Sequence, residues 1–179
     1  MSFGRRSIGA LLIISFFLAG FGVPSKIEKR MKKEVGKFFK VADFSMESIK
    51  ISNNLNRNLP TQITENNLFS IKKSDSIILG YAFLGQAPSK TAKFDYLVIF
   101  DKEFSIVHSK VLAYREEYGG EIGSKRWLKQ FLGKTGRDRV SNKSNIDGIS
   151  GATISVRSMT MSIDDLLQTI GILQDNNAL

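Results

Sequence analysis

The residues best placed for chemistry stand together in Asp147–Ser155, D-G-I-S-G-A-T-I-S. Two hydroxyls, Ser150 and Thr153, enclose Gly151 and Ala152 at the point where an apolar-periodic segment begins. Val156, Met159, Ile163, Leu166, Ile170 and Leu173 recur at steps of three and four, which predicts a final helix from about Thr153. Ser150 is placed to cap it, with Gly151 and Ala152 keeping its first turn free of bulk. Unpaired N–H groups and the positive end of a helix dipole favour an anion at such a start. Thr153 would hold a hydroxyl beside that anion. The same residues also describe an ordinary Ser-capped helix after a turn, and taken alone they leave both readings open. A G-x-x-x-x-G-K loop is absent, so triphosphate hydrolysis is not supported.

A second candidate stretch is Glu117–Gly123, E-Y-G-G-E-I-G. Tyr118 could stack on a planar ligand, and Gly119-Gly120 would let backbone approach it; a surface turn is the plainer alternative. Trp127 is expected as a core anchor and His108 as a structural histidine, sharing strand parity with Ile106 and Lys110. Asp164-Asp165 is expected to be a solvated face, and Lys125-Arg126 a solvated helix start.

Composition narrows the chemistry. The 179 residues contain no cysteine and one histidine, which excludes thiolate metal sites, iron–sulfur clusters, a cysteine nucleophile and a multi-histidine centre. Redox chemistry would need an organic cofactor. The net charge of +9 is uneven: residues 1–40 carry +7 and the rest only +2. That places the basic excess beside Ile8–Val23, an uncharged apolar run of about 24 Å as a helix. Residues 1–24 are therefore expected to be a signal peptide or membrane anchor, and the chain to be exported. A basic segment next to an apolar one points to membrane rather than nucleic acid, and no nucleic-acid partner is expected.

The positioning elements follow from periodicity. Residues 25–67 are expected to form a basic amphipathic helix over Ser25–Lys40 and a polar, Asn-rich linker, with a short strand at Phe44–Ile51. From Leu68 the texture is β, with strands at Ser76–Leu84, Phe94–Asp101 and Phe104–Ala113. Lys102-Glu103 is expected as a two-residue hairpin link between the last two. Ser124–Gly133 is predicted to be a helix with Ser124 as N-cap and Trp127, Phe131 and Leu132 on one face. The fold class is α+β: one domain with an antiparallel sheet packed against helices, preceded by an N-terminal apolar helix.

Asp147–Thr153 resembles the D-G-x-S-G-A-T pattern of the FMN-binding domain family. That family includes flavin-carrying components of the sodium-pumping NADH:quinone oxidoreductase and of the Rnf complex. The resemblance implies FMN joined covalently to Thr153 through a phosphoester, attached by a flavin transferase of the ApbE type using FAD and magnesium. It also implies that Asp147, Gly148, Ser150, Gly151 and Ala152 serve recognition and phosphate contact. A looser likeness extends over about residues 76–173. There Glu117, Tyr118 and Gly119 fall where the family often has E-T-P-G-x-G near the isoalloxazine; here the proline is missing and one residue is added. Residues 68–179 would be the FMN-binding domain. The implied function is an exported electron carrier on the periplasmic side of the cytoplasmic membrane, anchored or released after signal cleavage. It would relay electrons to a membrane or periplasmic redox protein without independent substrate turnover. The alternatives are a flavin-free, membrane-anchored binding domain and a reductase with non-covalent FMN.

Overall fold

The computed structural model describes residues 25–74 and 77–179. The apolar run Ile8–Val23 lies outside the described residues, as does Ser76 at the start of one expected strand. Among the described residues, no helix is long and apolar enough to cross a membrane.

Helix α1 spans Lys26–Phe39 and is followed by strand β1 (Ser45–Ser48) and a single helical turn, α2 (Asn53–Asn56). Strands β2 (Leu68–Ser74), β3 (Ile77–Pro88), β4 (Lys93–Phe100) and β5 (Ile106–Ala113) follow. The sheet order is β1-β2-β3-β4-β5, with every neighbouring pair antiparallel. After a 3-10 turn at Gly120–Gly123 come α3 (Lys125–Leu128), a second 3-10 turn at Lys129–Phe131, and the long helix α4 (Thr153–Asp175). The domain is α+β with an antiparallel five-stranded sheet.

The sheet is covered on both faces, and strand β4 shows it most clearly. Phe94, Tyr96, Val98 and Phe100 face a large core shared with α4, whereas Leu97 and Ile99 face a smaller one under α1. Side chains alternate along a strand, so a strand apolar on both faces must lie between two layers. Helix α4 supplies Val156, Met159, Ile163, Leu166, Ile170 and Leu173, all buried as their spacing predicts. Helix α1 buries only Met31 and Val35 fully. Its apolar stripe is narrow and its outer face carries lysines.

Local chemistry alters several expected boundaries. The β4–β5 connection is not a two-residue hairpin. It spans Asp101–Ser105, with Phe104 at φ 60° and the Asp101 carboxylate accepting from the N–H groups of Glu103 and Ser105. Residues Ser124–Gly133 are not one helix either. Ser124 does cap, accepting from Trp127 N–H, but the chain tightens into a 3-10 turn at Lys129. Gly133, at φ 78°, then turns onto the start of β5, where its N–H donates to Ile106 O at 2.7 Å. Leu132 is consequently exposed, and Leu128 takes the buried place beside Trp127 and Phe131.

The shared parity of His108 and Ile106 is broken by a bulge: Phe100 pairs with Ile106 but Ile99 pairs with His108, leaving Val107 extra. Ile106 joins the α4-side core. His108 faces α1, where it stacks on Phe38 and its Nε2 lies 3.1 Å from Glu34 Oε1. The Asn-rich stretch carries Leu59 and Ile63 in the large core, and Asn56 ties it together through both the N–H and the O of Ile63.

Asp164 is not part of a solvated face. It is buried and accepts from Arg139 Nε at 2.9 Å, Arg139 Nη2 at 2.5 Å and Val140 N–H at 2.9 Å. Burial opposes its charge, but the bonds from Arg139 and Val140 outweigh that and hold the carboxyl below its ordinary range.

Candidate functional site

The start of α4 is built differently from the expectation. Ala152 N–H donates to Ile149 O, closing a turn in which Gly151 adopts φ 78°. Such a conformation suits glycine because it has no Cβ to clash. This turn places the N-cap at Ala152, which offers no side-chain oxygen, so Ser150 does not cap the helix. It lies upstream, exposed, on the turn. The first backbone bond of the helix runs from Val156 N–H to Ala152 O. The N–H groups of Thr153, Ile154 and Ser155 precede it, and no side chain caps them.

Those residues form one wall of a cleft of about 680 Å³, a size typical of cofactor sites. Gly151, Ala152, Thr153, Ile154 and Ser155 line that wall. The segment Tyr114–Tyr118, leaving β5, forms the opposite wall, and Lys90-Thr91 of the β3–β4 loop closes one side. Thr153 is exposed to the cleft and stands across from Glu117 and Tyr118. The structure thus brings together Thr153, Gly151, Ala152, Glu117 and Tyr118. Gly119 is buried directly behind: a Cβ there would stand 2.9 Å from Tyr114 Oη and 3.1 Å from Ala152 Cβ. Its φ of 82° and this packing both require glycine. Asp147, Gly148 and Ser150 do not line the cleft.

Asp147 has a different neighbourhood. Its carbonyl accepts from Trp127 Nε1 at 2.7 Å, and its N–H donates to Gln130 Oε1 at 2.8 Å. Trp127 is therefore the core anchor its type suggests and also the peg that fixes the Gly-rich segment. Lys125 and Arg126, on the same short helix, are exposed.

Several residues of the cleft carry no sequence signal. Tyr114 Oη lies 3.0 Å from Ser155 Oγ, joining the two walls. Ser158 Oγ donates to Pro88 O at 2.5 Å, tying α4 to the end of β3. Glu116 gathers the β3–β4 loop: its Oε1 accepts from Ser89 Oγ at 2.6 Å, Thr91 N–H at 2.7 Å and Ala92 N–H at 3.1 Å. The Ser89 hydroxyl, then the Thr91 N–H and hydroxyl, stabilise its charge and bring its pKa down to about 2. Glu116 is thus a latch on the β3–β4 loop. Arg115 donates to Lys93 O at 2.7 Å and to Asp95 Oδ2 at 2.6 Å, and Asp95 is buried.

The arrangement can hold a nucleotide-sized anionic group. An uncapped helix start, an adjacent hydroxyl, small residues on the floor and an exposed aromatic ring face one space. Tyr118, 79% exposed, and Ile154, 52% exposed, put apolar surface at its mouth. Exposed rings of this kind suit a planar ligand.

No curated protein matches this chain. A family model does: residues 91–168 match the FMN-binding domain. The matched span runs from the β3–β4 loop into α4 and contains both cleft walls and the whole D-G-I-S-G-A-T segment. Over that span the chain is similar to an FMN-binding domain, which supports a flavin-binding role.

Proposed function

We propose that this protein is an exported electron carrier holding FMN covalently, through a phosphoester between the cofactor's phosphate and Thr153 Oγ1. The observation that carries the reading is the position of that hydroxyl: exposed in a cleft, on the first residue of α4, inside the FMN-binding match. A bound flavin would supply the redox chemistry that no residue of a cysteine-free chain offers.

The protein's part is to hold and orient. The N–H groups of Thr153, Ile154 and Ser155 would hold the retained phosphodiester charge, a placement worth about 0.3–1 kcal/mol at an exposed helix start. Gly119 and Ala152 keep the floor low enough for close approach. Glu117 and Tyr118 stand where a ring system would lie, and the Tyr114–Ser155 bond keeps the two walls in register. Asp147, Gly148 and Ser150, away from the cleft, fit a role in recognition by the flavin transferase of the ApbE type that would install the cofactor. The apolar run Ile8–Val23 with its basic flanks supports export and membrane tethering, with the domain on the periplasmic side. A membrane or periplasmic redox protein would then exchange electrons with it.

Denaturing gels of the full chain, expressed with such a transferase, test this reading. Yellow fluorescence should remain on the denatured band, persist in Thr153→Ser and vanish in Thr153→Ala. Flavin released on denaturation would instead favour a reductase with loosely held FMN. No flavin in either state, with the transferase active on a control substrate, would favour a flavin-free binding domain.

A further inference from the structure

We infer that the outer face of α1 is a docking surface for an anionic phospholipid membrane, along which the helix lies flat. Lys29, Lys32, Lys33, Lys37 and Lys40 line a shallow groove of about 600 Å³ along this helix. The spacing of Lys29, Lys32, Lys33 and Lys37, by three, one and four, puts them on a single helical face, and Lys40 follows at the left-handed C-cap. None of the five forms an ion pair among the described residues. The acidic groups of α1 are engaged elsewhere. Glu34 faces inward to His108, and the Glu28 carboxylate accepts from Ser25 N–H at 2.5 Å. Asp43 adjoins the groove in sequence and is exposed. The opposite stripe of the helix is already used, since Met31 and Val35 are buried against the sheet.

Two observations choose a membrane as the occupant. The first is charge: each lysine close to an anionic bilayer contributes about 1 kcal/mol, roughly fivefold in binding. That attraction fades within a Debye length of about 8 Å in physiological salt. Lys29 and Lys37 are separated by roughly 12 Å along the axis. A helix standing upright would leave the far lysines out of range, so all five count only if it lies along the surface.

The second observation is continuity, because only Pro24 and Ser25 separate Lys26 from the apolar run Ile8–Val23. The direction of α1 also bears on the cleft. Arg30 Nη1 donates to Leu112 O at 2.7 Å, while Glu34 and Phe38 meet His108. Helix α1 therefore runs antiparallel to β5. Its N-terminus lies at the sheet end where β5 passes into Tyr114–Tyr118, which, resting on the reading of Ile8–Val23 as a membrane anchor proposed above, would hold the cleft wall near the bilayer.

The absence of cysteine permits a clean test with the full chain reconstituted in vesicles. Ala42→Cys in the groove and Asp175→Cys on α4 would each carry a fluorophore, read against nitroxide-labelled headgroups. Quenching at position 42 should rise when anionic phosphatidylglycerol is added to phosphatidylcholine. It should fall in ~1 M salt, where the Debye length is about 3 Å. Each Lys→Gln change among the five should lower the docked-to-undocked ratio about fivefold. Position 175 should not respond, and Thr153→Ala should leave docking intact, which separates this proposal from the flavin reading. Equal quenching in both vesicle types, or at both positions, would overturn it. So would tighter binding of duplex nucleic acid than of anionic vesicles.

Discussion

Helix α1 begins at Ser25, whose hydroxyl accepts from Glu28 N–H while the Glu28 carboxylate takes the Ser25 N–H. Helix α4 begins at Ala152, which has no oxygen to offer, although it is the longer helix and the one at the centre of the large core. A capping side chain contributes about 1 kcal/mol, so leaving one out where serine stands two residues upstream has a cost. The difference is one of surroundings. The start of α1 closes itself with its own side chains. The start of α4 opens into a cleft and is held by its neighbours: Trp127 on Asp147, Tyr114 on Ser155, and Ser158 on Pro88. Support from outside leaves the end of the helix open to a ligand without letting it fray.

The largest way to break that contrast is to remove the external support. Trp127→Ala should destabilise the fold by about 3–5 kcal/mol in denaturant unfolding, since a buried indole is lost and Asp147 O loses its donor. Trp127→Phe keeps most of the packing and should cost nearer to 1 kcal/mol, with flavin attachment lowered in both. Next comes the cleft floor. Gly119→Ala forces a left-handed backbone on an L side chain and presses its Cβ on Tyr114 and Ala152. About 1–3 kcal/mol of destabilisation is expected, with attachment reduced more than stability alone explains. If attachment is unchanged, Gly119 is merely a turn residue.

Ser25→Ala addresses the other helix. It should cost about 1 kcal/mol and raise amide exchange in the first turn of α1, while flavin content stays at the wild-type level. The smallest effect is expected at Glu116→Gln, and it carries a pH signature. The carboxyl is brought from 4.5 down to about 2 in the folded protein, so its contribution is fully present above about pH 4.5. It is lost as the pH falls towards 2. The gap in melting temperature between wild type and variant should therefore be open at about pH 7 and close over that window. A gap independent of pH would mean that the Ser89–Ala92 loop does not depend on the Glu116 charge.

The parts of the molecule legible in the sequence are those governed by local period. The apolar repeat of α4, the stripe of α1 and the three long strands follow from side-chain spacing that any packed fold must respect. The helix start near Thr153 is legible too, whereas Glu117 and Tyr118 read equally as a surface turn, and only the fold sets them on one cleft with Thr153. What is not legible depends on distant partners. Ser150 has the right type for a cap, but a glycine in the left-handed region moves the cap two residues on. Asp164 reads as solvated because Arg139 lies 25 positions away and nothing local announces the pair. The bulge at Val107 reverses the facing of His108, and only the ladder with β4 reveals it. Glu116 lies among the cleft residues but owes its low pKa to a loop on another hairpin.

Intact-mass measurement of the full chain, produced together with a flavin transferase and FAD, tests the central claim most directly. The account predicts one added mass of FMN less water, mapped by peptide fragmentation to Thr153 and absent from Thr153→Ala. An unmodified chain beside a fully modified control substrate, or an adduct mapped to Ser150 or Ser155 instead, would contradict it.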